Sequence, residues 1–111
     1  MTEATEPIAP HYLFTDTMSL PWRASASVAG VEVKDLGRVN GRAMQLVRYQ
    51  PGVIFPTHRH TGPEFLYILD GEAIQHGQRL GPGWAGVAAS GTLDEPFRSE
   101  TGCVFLLVYS E

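Results

Sequence analysis

Short segments that alternate apolar and polar residues recur along this chain, separated by glycine and proline. Val31 and Val33 alternate with Glu32 and Lys34, while residues 64–69 (EFLYIL) are almost wholly apolar. Alternation with a period of two is typical of half-buried strands, and short runs of β-branched and aromatic residues are typical of buried ones. The pattern predicts strands over residues 28–36, 42–50, 53–60, 64–69, 84–89 and 103–109, with shorter ones over 72–76 and 78–80.

Glycine and proline leave little room for helices. The 111 residues include 12 glycines and 8 prolines, and the longest stretch free of both is His11–Leu20. An average helix needs about 11–12 residues, so hardly any window can hold one. We therefore predict an all-β fold, a sandwich or barrel, with a strand broken or bulged at Gly30 and hairpin turns at Asn40-Gly41 and Asp70-Gly71.

The length fits one domain. We predict that residues 1–21 form an N-terminal arm, with a candidate edge strand at 11–14, and that residues 22–111 form a single β-domain. His11, in this arm, is expected to take no part in a functional site.

Composition excludes several classes of protein. Charged residues make up 18% of the chain, the net charge is −4 and Lys34 is the sole lysine, so no nucleic-acid partner is expected. No apolar run is long enough to span a membrane, and the acidic start lacks the apolar stretch of a secretory signal, so the expected location is the cytoplasm. The single cysteine, Cys103, excludes an internal disulfide and is expected to be a buried, inert thiol.

Three ligand-type residues lie close together in the sequence: His58, His60 and Glu64. On a strand, residues two apart share a face, with Cα atoms about 7 Å apart. Glu64 follows a Thr-Gly-Pro turn, and an antiparallel return would bring its carboxylate beside both imidazoles. Two imidazoles and a carboxylate suit a divalent transition metal. The alternative is that two histidines on a surface strand are simply solvated.

The same residues resemble a known family motif. Gly52, five residues, His58, one residue, His60, three residues, Glu64, six residues and Gly71 match the first cupin motif in spacing. Over roughly residues 22–108 the chain resembles the cupin domain of ChrR anti-sigma factors and their stand-alone relatives. It is also similar to the small acetylacetone-cleaving and dihydroxyacetophenone-cleaving dioxygenases.

This resemblance implies a cupin-type jelly-roll β-barrel with one divalent metal, Zn, Fe, Mn or Ni, at its mouth. It implies His58, His60 and Glu64 as ligands, and a fourth ligand from a second motif that is normally histidine. Counting without gaps, that position is Asp94. Asp94 could bind directly or through water, its neighbour Glu95 could reach in, or the site could have three ligands. The resemblance also implies a homodimer.

Several side chains are candidates for a substrate pocket. Aromatic residues on strands either line a pocket or belong to the core, and His76 lies either at the barrel mouth or in a solvated turn. The pocket candidates are Trp84, Phe65, Tyr67 and His76, together with Phe55 and Phe105. Arg48, among apolar positions, pairs with a carboxylate or lies at the surface.

Three functions follow as expectations. The first is a ChrR-like metal-binding cupin with a ligand-binding or sensory role. The second is a mononuclear metal-dependent dioxygenase that cleaves a diketone or hydroxyketone. The third is a metal-free or degenerate ligand-binding cupin. Each of the first two requires a bound metal, and the enzyme also requires an open coordination position and a substrate cavity above the metal.

Overall fold

The computed structural model describes residues 12–110, in which nearly all regular structure is β-strand. One short 3-10 helix, Thr17–Ser19, precedes the strands. The strands are β1 (Arg23–Ala24), β2 (Val31–Val39), β3 (Arg42–Tyr49), β4 (Ile54–Phe55), β5 (His58–Arg59), β6 (Glu64–Gly71), β7 (Ala73–Gln75), β8 (Gln78–Leu80), β9 (Ala85–Ala88), β10 (Leu93–Asp94), β11 (Phe97–Arg98) and β12 (Cys103–Ser110). The predicted all-β class is confirmed.

The strands form three antiparallel sheets. The largest has six strands in the order β1-β2-β3-β12-β6-β9, and the others have the orders β4-β11-β7-β8 and β10-β5. Alternate side chains of the large sheet point inward and pack with residues of the four-stranded sheet. The core consists of Val31, Val33, Val47, Tyr49, Val53, Ile68, Ala73, Phe97, Cys103 and Phe105. Three of its aromatic rings, those of Tyr49, Phe97 and Phe105, pack edge to face with centroids 5.3–5.7 Å apart.

Two-residue turns join the clearest hairpins. Asn40 and Gly41 both have positive φ, 52° and 77°, and connect β2 to β3 as predicted. His76 and Gly77 have φ values of 52° and 71° and connect β7 to β8 in the same way. Positive φ at both central residues is typical of a turn that matches the twist of the two strands. His76 is therefore a turn residue.

The Asp70-Gly71 hairpin prediction is wrong. β6 ends at Gly71 and the chain passes into β7, which belongs to the other sheet. Gly71 has φ of 73°, and a Cβ there would lie 2.2 Å from the carbonyl oxygen of Gly102. Glycine is needed at this corner because the backbones of the two segments touch.

The structure differs from two further local predictions. Residues 12–14 form no strand, and residues 1–11, including His11, lie outside the described residues. Of the break or bulge expected at Gly30, the break is observed, since β2 begins at Val31, and a bulge lies further on between Asp35 and Gly37, where the pairing of β2 with β3 shifts register. Gly30 precedes β2 in a turn.

The segment before β1 packs on the outside of the large sheet. Lys34, which is buried, donates a hydrogen bond from Nζ to the carbonyl of Thr17 at 2.7 Å. The Trp22 ring lies between two cations, 4.9 Å from Lys34 Nζ and 4.4 Å from the Arg48 guanidinium carbon. These contacts tie the arm to β2 and β3. Within residues 12–110, no helix has the length and apolar character needed to cross a membrane.

Candidate metal centre

β5, β6 and the turn between them place the three predicted ligands. His58 opens β5 and His60 follows that strand, while Glu64 is the first residue of β6. The backbone of His60 is fixed from both sides, because its N–H donates to the Thr92 carbonyl and its carbonyl accepts from the Gly91 N–H, at 2.9 and 2.8 Å. Alternation along this short extended segment puts both imidazoles on one side.

The three side chains converge. One ligand atom from each of His58, His60 and Glu64 lies within 4.8 Å of the others. His60 is 6% exposed, and its Nε2 atom is 3.4 Å from Glu64 Oε1. The imidazole rings of His58 and His60 have centroids 4.8 Å apart at an angle of 67°. This arrangement could hold a single divalent cation between two imidazoles and one carboxylate.

A hydrogen bond sets the orientation of His58. Its Nδ1 atom lies 3.2 Å from the carbonyl oxygen of Pro56. A carbonyl can only accept, so Nδ1 carries the proton and Nε2 is the nitrogen with the lone pair. Such a backbone partner is the usual way a metal-binding histidine is held in one tautomer. Pro56 therefore contributes to the site through its backbone.

Asp94 and Glu95, the two candidates for the fourth ligand, differ in their relation to the three converging residues. Asp94 pairs directly with His58 in the β10-β5 register, which is its backbone position; its side chain lies outside the described part of the structure. Glu95 does not join the group: its Oε2 lies 3.5 Å from His76 Nδ1, and its side chain is mostly exposed. His76 therefore contacts Glu95 in an exposed position.

The group lies between two cavities. The larger has a volume of about 480 Å³ and occupies the space inside the large sheet, and the smaller has about 160 Å³. His58, Glu64 and Tyr109 border both, whereas His60 borders only the smaller one. The larger volume falls in the range of small-molecule sites. A cation at this group would be reached from the larger cavity past His58 and Glu64.

The predicted pocket aromatics divide into two groups. Phe55 and Phe105 border the larger cavity. Phe65 and Tyr67 do not, because Glu64 and Leu66 face inward and the residues that alternate with them on β6 must face outward. Trp84 and His76 also lie outside the residues that border either cavity. Trp84 is half exposed just before β9.

Phe65 and Tyr67 belong to an apolar surface on the outside of the large sheet. Two rows of directly paired residues cross β3, β12, β6 and β9, and every member is apolar. Phe65 and Tyr67 are 39% and 46% exposed, and Val87 is 74% exposed. We call this surface the outer apolar face; it consists of Met44, Val108, Phe65 and Val87 in one row and Leu46, Leu106, Tyr67 and Ala85 in the other.

Sequence reasoning missed the polar residues at the opposite side of the larger cavity. Arg23 and Gln45 border it, and both donate hydrogen bonds to Asp35. Asp35 and Gln45 are direct partners in the β2-β3 register. That pairing could have been found by extending the two strands from the Asn40-Gly41 turn.

Two other residues behave as anticipated. Arg48 forms an ion pair with Glu32 at 2.8 Å on the outside of the sheet. Cys103 is a buried free thiol, and burial raises its pKa. Neither belongs to the metal centre.

Solved structures with the same fold include proteins of different activity. A cupin-like protein of unknown function from Ralstonia eutropha JMP134 is 22% identical, with a TM-score of 0.67 over 74% of this chain and 56% of that one. Acetylacetone dioxygenase from Acinetobacter johnsonii is 14% identical, with a TM-score of 0.77 over 96% of this chain and 77% of that one. The anti-sigma factor ChrR, bound to SigE of Rhodobacter sphaeroides, is 22% identical, with a TM-score of 0.70 over 84% of this chain and 50% of that one.

These likenesses establish the fold, and the chain spans only about half the length of the ChrR and Ralstonia proteins. A search of curated protein sequences finds no match. The model of the ChrR cupin-like domain matches residues 11–110, nearly the whole chain. With a barrel of this topology and a His-x-His…Glu group beside its cavity, the chain belongs to the ChrR cupin-like domain family.

Proposed function

We propose that this protein binds one divalent cation through His58, His60, Glu64 and Asp94, and that the cation anchors a small organic ligand in the larger cavity. The observation that carries this proposal is the convergence of three ligand atoms within 4.8 Å of one another at the border of a cavity of about 480 Å³. A cupin that binds a small molecule through a metal needs its metal-binding residues at the border of the cavity that holds the molecule.

The donor set suits the metals expected. Two neutral imidazoles and a carboxylate are compatible with Zn²⁺, Fe²⁺, Mn²⁺ and Ni²⁺. With Asp94 as the fourth ligand, two carboxylates balance a divalent cation and leave a formally neutral centre. Oxygen donors also disfavour soft Cu(I). We expect the purified protein to contain one of these four metals.

Asp94 enters the proposal through its backbone position. It is the residue directly opposite His58, and paired residues of antiparallel strands have Cα atoms about 4.5–5.5 Å apart. Glu95, the alternative, contacts His76. The support for Asp94 as the fourth ligand is therefore its position opposite His58 in the pairing of β10 with β5.

Metal analysis tests the proposal. Protein purified without an affinity tag is dialysed against each metal, and bound metal is measured by elemental analysis and by competition with a chromophoric chelator. We expect one ion per chain, and loss of binding in His58→Ala and His60→Ala. His76→Ala is the matched control, because His76 is an exposed turn histidine and its loss should leave the stoichiometry unchanged. Metal content at background in the unaltered protein would refute the proposal.

A second candidate function is that of a mononuclear metal-dependent dioxygenase. Its support is that His58 and Glu64 border the larger cavity, so that a substrate there would lie beside the ligand group. Two histidines and one carboxylate are the ligand set of non-haem Fe(II) oxygenases, in which the iron activates oxygen at positions the protein leaves open. His58, oriented by Pro56, would hold the ion together with His60 and Glu64, and the apolar side chains nearest the group would limit the access of water.

Oxygen uptake distinguishes the two functions. Protein loaded with Fe²⁺ is mixed with a panel of β-diketones and hydroxyacetophenones in an oxygen electrode. If the protein is a dioxygenase, oxygen uptake should be proportional to the substrate consumed, and the His58→Ala variant should show no uptake. A loaded protein that binds a panel member without oxygen uptake would be a binding module.

We also propose that the protein forms a homodimer through the outer apolar face. Its eight residues carry no charge, and the face lies on the outside of the central strands of the large sheet. A two-fold dimer brings one patch against its own copy, so an uncharged apolar patch complements itself without charge repulsion. Exposed apolar surfaces of this kind typically mark contact sites.

A further inference from the structure

The larger cavity has a second polar end, distant from the ligand group. Arg23 on β1 and Gln45 on β3 border it, and both side chains converge on Asp35 of β2. The loop after β1 adds two hydroxyl groups to the same border, those of Ser25 and Ser27. The cavity is therefore polar at two places.

The hydrogen bonds of this second end fix its geometry. Arg23 donates from Nε and Nη2 to Asp35 Oδ2 at 2.9 and 2.7 Å, and Gln45 donates from Nε2 to Oδ1 at 2.7 Å. The bonds from Gln45 and Arg23 hold the pKa of the Asp35 carboxyl below its usual value, so the acceptor is ionised at neutral pH. The two bonds use two of the five guanidinium N–H donors, and Gln45 keeps its amide oxygen as an acceptor.

An apolar wall separates the two ends. Gln45 pairs with Leu107, and Leu107 pairs with Leu66, so Gln45 and Leu66 are two strand spacings apart, about 10 Å. Glu64 lies two residues from Leu66 on the same face. Leu107 and Leu66 pack against the core between the two polar ends. A single aromatic ring with a polar group at each end has the right length and character to bridge them.

We infer that Arg23, supported by Asp35 and Gln45, is a specificity-determining residue that binds an anionic group on a flat ligand whose other end chelates the metal through oxygen. The inference rests on the proposed metal site. A guanidinium already held by one carboxylate is preorganised, and it can bind a second carboxylate through its remaining donors. The metal centre is formally neutral, so it adds little preference for an anionic molecule over a neutral one. That discrimination is therefore expected to depend on Arg23.

The simpler interpretation is that the Arg23–Asp35 ion pair only ties the edge strand β1 to β2. Its side chains are 56% and 40% exposed, and such exposed pairs contribute little to stability. That interpretation does not account for Gln45, which points into the cavity and donates to the same carboxylate. The two interpretations differ in what they predict for ligand binding.

A matched pair of probes separates them. Benzohydroxamate carries a bidentate oxygen chelator on a phenyl ring, and 4-carboxybenzohydroxamate adds one carboxylate at the opposite end. Both are titrated calorimetrically into full-length protein loaded with Zn²⁺, after the zinc content has been measured. We expect the carboxylated probe to bind at least about 10-fold more tightly, the effect of one charge-assisted hydrogen bond. In Arg23→Gln the ratio should fall to about one, with the affinity of benzohydroxamate unchanged.

The controls distinguish the possible failures. Arg42→Gln removes the same charge at an exposed position outside the cavity and should preserve the ratio. A protein that binds no zinc refutes the metal site and this inference together. Zinc-loaded protein that binds neither probe, that binds both equally, or whose ratio survives Arg23→Gln refutes the inference and leaves the metal site standing.

Discussion

The Nε2 atom of His60 and the Oε1 atom of Glu64 lie 3.4 Å apart across the turn that joins β5 to β6. Gly62 shapes this turn, because a Cβ there would lie 2.5 Å from the Cβ of Ser110. The turn therefore lies directly against the Ser110 side chain at the end of β12. The turn that separates His60 from Glu64 is thus fixed by this contact as well as by the strands on either side.

Glu64→Gln tests the carboxylate's part in this relationship. The substitution keeps the size of the side chain and removes its charge and one strong oxygen donor. We expect metal affinity to fall by more than about 10-fold, since loss of even an indirect partner of a metal costs that much. The measurement is a chelator competition titration.

Glu95→Gln is the matched control for that experiment. It removes the same charge from a residue that contacts His76 and should leave the affinity nearly unchanged. Equal effects of the two substitutions would show that the charge acts at long range and that Glu64 is not a ligand.

Gly71→Ala tests the corner between the two sheets. The residue has φ of 73°, and the new Cβ would lie 2.2 Å from the Gly102 carbonyl oxygen and 2.8 Å from the Cα of Cys103. Backbone strain alone costs about 1–2 kcal/mol, and the clash adds to it. We expect the free energy of unfolding, measured by urea denaturation, to fall by more than about 2 kcal/mol.

Gly77→Ala provides the comparison because Gly77 has a similar φ, 71°, with nothing within 4 Å of the added Cβ. It should cost only the strain. If both variants lose the same free energy, close backbone approach is not what requires glycine at position 71.

The sequence allowed the fold class and the convergence of His58, His60 and Glu64 to be predicted. His58 and His60 are two residues apart on an extended segment, and this parity survives any error in strand boundaries. Phe65 and Tyr67, predicted as pocket residues, border neither cavity, and the same rule accounts for their positions, because an inward Glu64 requires both to face outward.

Other features depend on contacts that local patterns do not encode. Asp-Gly signals a tight turn, but it does not tell whether the next strand joins the same sheet, so Asp70-Gly71 predicts a hairpin that the fold does not form. Arg23 reaches Asp35 only because β1 adds to the edge of the large sheet. Pairing of this kind is set by the packing of the whole sheet.

Cys103 should react slowly with thiol reagents in the native protein. Its pKa is raised by burial, so the reactive thiolate is rare at pH 8, and its side chain is shielded by the core. We expect labelling by an aromatic disulfide reagent to be at least about 100-fold slower than in urea. Rapid labelling without denaturant would contradict the packing described for the start of β12.

Asp94 can be tested by two substitutions with opposite expected effects. If Asp94 is the fourth ligand, Asp94→His should tighten Zn²⁺ binding because imidazole is a good donor for this metal, and Asp94→Ala should weaken it by more than about 10-fold. Both are measured by chelator competition. Identical affinities in the two variants and the unaltered protein would indicate a site with three protein ligands.

Phe65→Glu tests the homodimer. Phe65 lies in the first row of the outer apolar face, and a two-fold contact would bring the new carboxylate into an apolar environment in both copies at once. Burying an unpaired charge costs several kcal/mol, so we expect the substitution to raise the dissociation constant of the proposed dimer, measured by sedimentation velocity, by at least about 100-fold. Ile54→Glu is the control, because Ile54 is exposed on β4 in a different sheet and should leave association unchanged. The fold should survive both changes, since neither residue belongs to the core, and metal affinity should be the same in both variants. An unaltered protein that sediments as a monomer at every concentration would refute the homodimer.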